Sequence, residues 1–368
     1  MRFVMFYQSL ISDWNHGNAH FLRGVATELL SRGHEVEIYE PRDSWSFNNL
    51  LSAHGDAAGL FRSRYPMLSS TRYDLGSIDL EAAIDGAQVV IVHEWNDHEL
   101  VRRIGSLRRR SSFRLFFHDT HHRSATEPWN MGAYDLSNYD GVLAFGEVIR
   151  ETYLERGWAS RAWTWHEAAD VRVFRPMRRV NEGDLVWIGN WGDGERSAEI
   201  DEFFLGPARS LGLRALAHGV RYPEQALRRL AESGVEYKGW LPNFEVPGVF
   251  AAHKCTVHVP RRPYAEALPG IPTIRVFEAL ACGIPLLSAP WEDSERLFSP
   301  GDFLVAKNGR EMERLLRDLL HDETMRKEMA ARGLSTVLSR HTCANRVDEL
   351  LAICSRLDVE KEAYEARA

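Results

Sequence analysis

The sequence GIPTIRVFEALACGIPLLSAP, residues 270–290, decides the fold class more than any other stretch of the chain. Its apolar centre predicts a short helix over residues 274–281 that carries one acidic residue, Glu278. We expect the helix to end at Cys282-Gly283, because glycine just past a helix end adopts a left-handed cap, and Pro285 prevents any continuation. Residues 284–288 then predict a short buried strand.

Glu278 and the start of its helix predict a binding site. A glutamate in an apolar helix is costly to bury without a partner. The residues before the helix, 269–273, lead to a helix start whose free N–H groups and positive dipole end suit phosphate. A carboxylate for sugar hydroxyls beside amide groups for phosphate is typical of a nucleotide-sugar site.

Length and composition limit the class of protein. The chain has 368 residues, 44% hydrophobic and 26% charged, which indicates a globular protein of two domains. The net charge of -7 argues against a general nucleic-acid binder. Four cysteines without CxxC pairing indicate a reducing cytoplasm. The apolar run at residues 3–7 is too short for a signal peptide, and no run reaches the length of a membrane span, so we expect a soluble cytoplasmic protein.

Both halves of the chain alternate short apolar strands with amphipathic helices. This alternation predicts parallel sheets covered by helices on both faces. We therefore expect an α/β protein with two doubly wound, Rossmann-like domains facing a cleft. The predicted strands cover residues 3–7, 36–39, 87–93, 113–118, 141–145, 184–189, 214–219, 235–239, 255–259 and 284–288. The predicted helices include residues 19–31, 97–109, 147–156, 311–320, 324–339 and 342–360.

Four motifs along the chain, by their order and spacing, resemble those of GT-B glycosyltransferases, especially the retaining family-4 type. The run FEALACGIPL, residues 277–286, is similar to the donor-site helix of these enzymes. Residues 29–36, LLSRGHEV, resemble the run between their first helix and second strand, and residues 113–119 resemble a strand ending in a His-Asp loop. The link 170–176 resembles their D-x-x-x-F-x-P crossover. The sequences HEWN, residues 93–96, and GNWG, residues 189–192, are most similar to those of the bacterial CgeB-like group.

The resemblance implies a domain division and a role for each domain. Residues 1–170 would form an acceptor-side domain, with a C-terminal helix at 342–368 packing back on it. Residues 171–341 would form the donor-binding domain. In that domain, Glu278 would bind the nucleotide ribose, and the loop Gly270, Ile271, Pro272 and Thr273 would contact the leaving phosphate or the sugar. The second glutamate of the family, eight positions earlier, is replaced here by Gly270, which leaves the donor sugar and the anomeric outcome open.

The resemblance also implies roles for residues outside the donor helix. Trp240 and Leu241 follow a predicted strand where these enzymes hold the nucleobase. In the first domain, the loop with Gly17 and Asn18 would approach the diphosphate or the acceptor. His118 would contact the donor sugar, and the adjacent Asp119 would orient it or act as a base.

Arginines after two predicted strands are candidates for the diphosphate. Arg261 and Arg262 follow the strand at 255–259, and Arg196 begins the helix after the glycine-rich run at 189–194. Guanidinium groups bind phosphate bidentately and can stabilise a leaving group. No Asp-x-Asp pair follows a strand, so the sequence favours a metal-free route and indicates no cofactor.

The sequence thus predicts a hexosyl-type glycosyltransferase using a nucleotide-diphosphate sugar, UDP or GDP, with an unknown acceptor glycan, lipid or small molecule. Retention is favoured and inversion stays open. The alternatives are an epimerase on the same fold and a non-catalytic sugar-nucleotide or glycan-binding protein. His93-Glu94, His121 and His122 leave a zinc hydrolase as a further alternative.

A basic helical stretch from Arg102 to Arg114 raises the question of a membrane partner. Six arginines alternate there with apolar residues. Such a helix could rest on the inner membrane that carries a lipid-linked acceptor, or it could be an ordinary solvated helix face.

Overall fold

The computed structural model describes residues 1–192 and 194–365 and divides the chain into two compact units. The first unit comprises Met1–Ile11, Phe21–Glu167 and Thr342–Ala368. The second comprises Ser12–His20 and Ala168–His341. A short loop near the N-terminus therefore belongs to the same unit as the predicted donor helix. Of the helix predicted over 342–368, residues 366–368 lie outside the described residues.

The first unit is built on a seven-stranded parallel sheet. Its strands are β1 (Arg2–Phe6), β2 (Glu35–Pro41), β3 (Thr71–Tyr73), β4 (Val89–His93), β5 (Arg114–Asp119), β6 (Gly141–Ala144) and β7 (Ala162–Thr164). They are ordered β3-β2-β1-β4-β5-β6-β7. The helices are α1 (Ala19–Ser31), α2 (Trp45–His54), α3 (Ala57–Arg64), α4 (Leu80–Ile84), α5 (His98–Arg108), α6 (Arg123–Thr126), α7 (Pro128–Met131) and α8 (Glu147–Glu155). The first two residues of α1 are assigned to the second unit.

The second unit has a six-stranded parallel sheet of the same kind. Its strands are β8 (Gly183–Ile188), β9 (Ala215–His218), β10 (Val235–Tyr237), β11 (His253–His258), β12 (Leu286–Ser288) and β13 (Leu304–Val305), ordered β10-β9-β8-β11-β12-β13. The helices are α9 (Ser197–Ile200), α10 (Gly206–Leu211), α11 (Glu224–Glu232), α12 (Val246–Ala251), α13 (Arg262–Glu266), α14 (Ile274–Ala281), α15 (Gly309–His321) and α16 (Glu323–Arg340). A π-helical turn (Asp201–Leu205) and a 3-10 turn (Asn243–Glu245) complete it. The last helix, α17 (Cys343–Glu365), belongs to the first unit.

Burial explains why these strands form the cores of parallel sheets. All five residues of β4, VVIVH, are buried, as expected for a parallel strand that is covered on both faces. In the second unit, Trp187, Phe203 and Phe204 lie in one buried apolar cluster with residues from β9, β11 and α15. The predicted fold class, two doubly wound parallel sheets, is confirmed.

The strand order identifies where the second unit can bind a ligand. In a doubly wound sheet, ligands bind beyond the carboxyl ends of the strands where the strand order reverses. In the second unit this point lies between β8 and β11. The loops that follow these two strands carry Arg196 and Arg261. In the part of the chain that the structure describes, no helix is long and apolar enough to cross a bilayer.

Candidate functional site

Glu278 lies at the centre of a buried network in the second unit. Its side chain is 0% exposed, and it points from α14 toward the loop at Ser12–His20. The Oε1 atom lies 2.8 Å from Nδ1 of His20, and Oε2 pairs with the guanidinium of Arg275, one helical turn earlier. Both carboxylate oxygens therefore have partners, as a buried charge requires.

The second ring nitrogen of His20 determines its tautomer. The backbone N–H of Asp170 donates a hydrogen bond of 2.8 Å to Nε2. Because Nε2 accepts, the ring is neutral and its proton lies on Nδ1, which donates to Glu278. The ring also stacks on Phe174, with 4.0 Å between ring centroids and 22° between planes. Asp170 and Phe174, the first two marked positions of the crossover motif, thus meet at His20.

The loop that precedes His20 is attached to the second unit by its polar side chains. The buried carboxylate of Asp13 accepts from the indole N–H of Trp240 at 3.0 Å and from the backbone N–H of Asn243 at 3.0 Å. The side chain of Asn190, after β8, donates to that of Asn15. This loop therefore contributes to the binding unit although it follows the first strand of the other sheet.

Gly17 and Asn18, the predicted loop residues, lie in this attached segment. A Cβ added at Gly17 would lie 3.3 Å from Cγ2 of Ile274, the first residue of α14. The side chain of Asn18 is buried, and within the described part of the chain neither its amide oxygen nor its amide nitrogen has a hydrogen-bond partner. Buried polar atoms are almost always satisfied in proteins, so Asn18 is a candidate for contact with a ligand.

Arg196 is a buried cation whose hydrogen-bond partners are uncharged. It donates to the backbone oxygens of Val259, at 2.9 Å, and of Asn190, at 2.6 Å. Its Nε atom is buried and has no hydrogen-bond partner among residues 1–192 and 194–365. Burial, and then the charges of Arg261 and Arg275, lower the pKa of Arg196 to about 9. A bound anion would therefore stabilise the charged form of Arg196 by adding negative charge beside the guanidinium.

Arg261 and Arg262, the other predicted arginines, both have carboxylate partners. Arg261 donates to Glu195 at 2.8 Å, and its charge acts on Arg196. Arg262 is more exposed and pairs with Glu199 at 3.0 Å. Of these two arginines, Arg261 is therefore the one that is electrostatically coupled to the buried Arg196.

The loop before α14 offers fewer amides than its length suggests. The N–H of Gly270 donates to the backbone oxygen of Glu292 at 2.7 Å, and that of Ile271 donates to Leu268 at 3.3 Å. Pro272 has no N–H. The amides of Gly270 and Ile271 are thus already used within the protein.

Thr273 precedes the first turn of α14 but does not cap it. Its hydroxyl instead lies 3.1 Å from Nε2 of His258, whose Nδ1 lies 2.9 Å from the Ser288 hydroxyl. Burial, and then Arg196 and Arg275, lower the pKa of His258 to about 3, so the ring is neutral at physiological pH. The first N–H groups of α14 therefore have no side-chain cap and can bind an anion.

An open cavity of about 460 Å³ adjoins this region of the second unit. It is lined by Trp191, Gly194, Arg221, Tyr222 and Pro223, which follow β8 and β9. Its volume lies in the range of small-molecule sites.

His118 lies in the first unit, close to the end of β5. It is 1% exposed, and neither ring nitrogen has a hydrogen-bond partner among the residues that the structure describes. Its ring packs against Trp165, 4.8 Å away, Phe21 and His93. Burial lowers the pKa of His118 to about 3. The ring is thus neutral and offers one donor and one acceptor that no group of the described residues uses.

Asp119 is buried and fully engaged. One oxygen accepts from the backbone N–H of His121 at 3.1 Å, and the other accepts from the Tyr153 hydroxyl at 2.9 Å. Burial, and then the charge of Glu94, raise the pKa of Asp119 to about 8. These contacts connect Asp119 to the turn after β5 and to α8, and they leave it no exposed surface.

Glu94 and Arg123 form a buried ion pair close to Asp119. Arg123 donates to Glu94 through Nε at 3.0 Å, and its guanidinium lies 4.0 Å above the ring of Trp95. Burial raises the pKa of Glu94 in spite of this arginine. The histidines that suggested a zinc site do not converge with these acids, since no metal-like group of three His, Cys, Asp or Glu occurs among the described residues.

Most of the arginines between Arg102 and Arg114 have protein partners. Arg102 pairs with Glu99, Arg103 donates to two backbone oxygens, and Arg108 pairs with Asp140. Arg114 pairs with Asp358 of α17. These contacts neutralise much of the charge that suggested a membrane surface.

The sequence interpretation missed Arg275, His20 and Asp13 as parts of the site. Arg275 could have been found, because it lies three residues before Glu278 and therefore on the same helix face. His20 is separated from Glu278 by 258 positions, and no local pattern indicates that pairing.

Comparison with solved structures defines the class of this fold. Sucrose-phosphate synthase from Thermosynechococcus elongatus superposes with a TM-score of 0.65 at 11% identity, covering 98% of this chain and 100% of that chain. An alpha-glucosyltransferase in complex with UDP and a 13-mer DNA containing an HMU base gives 0.69 at 12%, covering 96% and 99%. T4 phage BGT in complex with its UDP-glucose substrate gives 0.60 at 13%, covering 96% and 98%. The fold is that of the GT-B glycosyltransferases.

A family model adds independent support from the sequence. Residues 196–352 match the family described as glycosyl transferase-like. No curated protein sequence matches the chain. The family match and the fold together support a glycosyltransferase of the GT-B type.

The raised pKa of Asp119 predicts a pH effect on stability. Between the ordinary aspartate pKa of 3.8 and the raised pKa of about 8, the folded protein keeps a proton on Asp119 that the unfolded chain releases. The free energy of unfolding therefore falls as the pH rises through this window. The Asp119→Asn variant should not show this decrease. Its free energy of unfolding should therefore rise relative to that of wild type by up to about 1 kcal/mol per pH unit.

Urea unfolding at pH 5, 6, 7 and 8 measures this difference. Asp318→Asn, which changes an exposed carboxylate on α15, is the matched control and should follow the wild-type profile. A constant difference between Asp119→Asn and wild type at all four pH values would contradict the prediction.

Proposed function

We propose that this protein transfers a hexosyl group from a nucleotide-diphosphate sugar to an acceptor hydroxyl. The observation that carries the proposal is the arrangement around α14. A buried carboxylate, Glu278, and a helix start without a side-chain cap share one short helix with the cation of Arg275. Arg196, with an unpartnered Nε, acts electrostatically on the same cluster.

In this proposal Glu278 binds the ribose of the nucleotide. Glu278 has no exposed surface, and Arg275, which is 16% exposed, pairs with Oε2. A ribose hydroxyl can therefore reach Oε2 only when Arg275 turns away. The diphosphate provides a competing anion for Arg275, so binding exchanges one charge-assisted contact for two.

The same cations would stabilise the leaving group. When the glycosidic bond breaks, negative charge develops on the diphosphate, and fixed positive groups lower the energy of that state. Arg196, Arg261 and Arg275 would supply the charge, and the first N–H groups of α14 would supply hydrogen bonds. We therefore propose transfer that does not depend on a metal ion.

The choice of nucleotide rests on the comparisons and on Trp240. Two of the similar structures were solved with UDP or with UDP-glucose, which supports UDP as the first candidate. GDP is kept as the second candidate from the sequence resemblance alone. Trp240 donates its indole N–H to Asp13, so we propose that the backbone at Trp240-Leu241, rather than the indole N–H, binds the nucleobase.

For the first unit we propose that His118 hydrogen-bonds to a sugar hydroxyl. Its unpartnered ring nitrogens support this role. Asp119 would act as a positioning residue through its contacts with His121 and Tyr153. Retention of configuration, and a place near the CgeB-like group, are proposed from the sequence resemblance.

For the location of the enzyme we propose the cytoplasm. The thiols of Cys255, Cys282, Cys343 and Cys354 are all free, which is typical of a reducing compartment. We do not extend the proposal to a membrane surface, because most arginines of the basic stretch have partners.

Calorimetric titration with UDP, GDP, ADP and CMP tests the donor site. We expect one nucleotide to bind wild type, and Glu278→Gln to lose about 1–3 kcal/mol of binding free energy, because the amide removes a charged acceptor. Glu224→Gln, which changes an exposed glutamate on α11, is the matched control and should bind as wild type does. Equal affinity of the Glu278→Gln variant, or no binding by wild type, would contradict the proposal.

Slow hydrolysis of the bound donor tests the metal and anomer proposals without an acceptor. We expect UDP-glucose to release UDP in the presence of EDTA, because arginine and amide groups stabilise the leaving group. Proton NMR should show α-glucose first, as retention requires. Loss of activity in EDTA that added metal restores would contradict metal independence, and initial β-glucose would contradict retention.

A further inference from the structure

We infer that His20 is a positioning residue, which holds Oε1 of Glu278 so that Oε2 is the oxygen that the nucleotide binds once it displaces Arg275. This inference rests on the proposed function of Glu278. It assigns a role in nucleotide binding to a residue that follows the first strand of the chain, outside the predicted donor-binding segment.

The hydrogen bonds of His20 have only one consistent arrangement. The Asp170 N–H can act only as a donor, so Nε2 must accept at 2.8 Å. Nδ1 then carries the ring proton and donates to Oε1 of Glu278 at 2.8 Å. A rotated or doubly protonated ring would lose one of these bonds or place two donors face to face.

The surroundings of His20 hold the ring in this orientation. The ring is 1% exposed and stacks on the fully buried Phe174. The attachment of Asp13 to Trp240 and Asn243 fixes the start of the loop that leads to His20. A donor at this position is therefore oriented before any ligand arrives, which reduces the entropy cost of orienting Glu278 on binding.

The two oxygens of Glu278 consequently have different roles. Oε1 faces a neutral, buried and rigid donor, whereas Oε2 faces Arg275, which is partly exposed. A ligand hydroxyl competes with Arg275 and not with His20. Without His20, the carboxylate could rotate and present either oxygen to Arg275, and the ribose would meet a poorly oriented acceptor.

A pair of substitutions separates the two bonds of His20. In His20→Asn, the side-chain amide can replace Nδ1–H as donor to Glu278 but cannot reach Asp170. In His20→Gln, the longer amide can accept from Asp170 but cannot reproduce Nδ1–H. We expect the UDP affinity of His20→Asn to lie within about threefold of that of wild type. His20→Gln should bind UDP at least tenfold more weakly than wild type, and both variants should have similar urea midpoints.

A double-mutant cycle with Glu278→Gln distinguishes positioning from general destabilisation. If His20 acts through Glu278, the difference in UDP affinity between the two His20 variants, at least about threefold in the wild-type background, should disappear in the Glu278→Gln background. Equal UDP affinity of the two variants in the wild-type background, or an undiminished difference in the Glu278→Gln background, would overturn the inference. Either result would leave the proposed function standing if Glu278→Gln alone still weakens binding.

The wild-type protein supplies a measurement that does not depend on variant folding. Long-range ¹H–¹⁵N spectra of ¹⁵N-histidine-labelled protein should show His20 with its proton on Nδ1, both free and with UDP. A proton on Nε2 in either state would overturn the inference. Failure of the wild-type protein to bind any of the four nucleotides would remove the proposed function itself.

Discussion

The buried carboxylate of Glu278 is the constraint on which the second unit depends. A carboxylate without solvent contact must be paired, and Glu278 has two direct partners, Arg275 and His20, while Asp170 holds His20 in turn. Arg275 lies on the same helix, His20 lies in the first turn of α1, directly after the loop that follows the first strand, and Asp170 fixes the His20 ring from the link before β8. The need to pair one charge thus brings the loop, the link and the donor helix into one binding unit.

The helix and strand pattern around Glu278 could be predicted because its signals are local. The helix over 274–281 and the strands that flank it follow from apolar periodicity and from the Gly283-Ile284-Pro285 boundary, and the structure has α14 with those bounds. The short edge strands β3, β7 and β13 escaped prediction, because none of them lies in a continuous buried apolar run such as the one that reveals β12. The helices α2 and α3 escaped it as well, and both expose large apolar residues, so their pattern is not amphipathic.

The candidate site was less predictable, because its contacts join distant parts of the sequence. A carboxylate in an apolar helix indicates that a partner is needed, but the sequence does not indicate that this partner is His20. The amides of Gly270 and Ile271 looked available from the sequence, but the chain returns at Glu292 to accept from Gly270, and a local turn at Leu268 accepts from Ile271. Asp119 looked like an accessible base, yet Tyr153 and the turn after β5 enclose it. The GT-B fold itself hosts several chemistries, so the acceptor must be sought from the site and not from the fold.

The structure of the protein crystallised with UDP would test the central claim most directly. The account predicts a ribose hydroxyl at about 2.7–3.0 Å from Oε2 of Glu278, with Arg275 turned to the diphosphate and His20 still on Oε1. UDP bound elsewhere, with Arg275 still paired to Glu278, would contradict it, because the buried carboxylate would then serve only to hold the fold together.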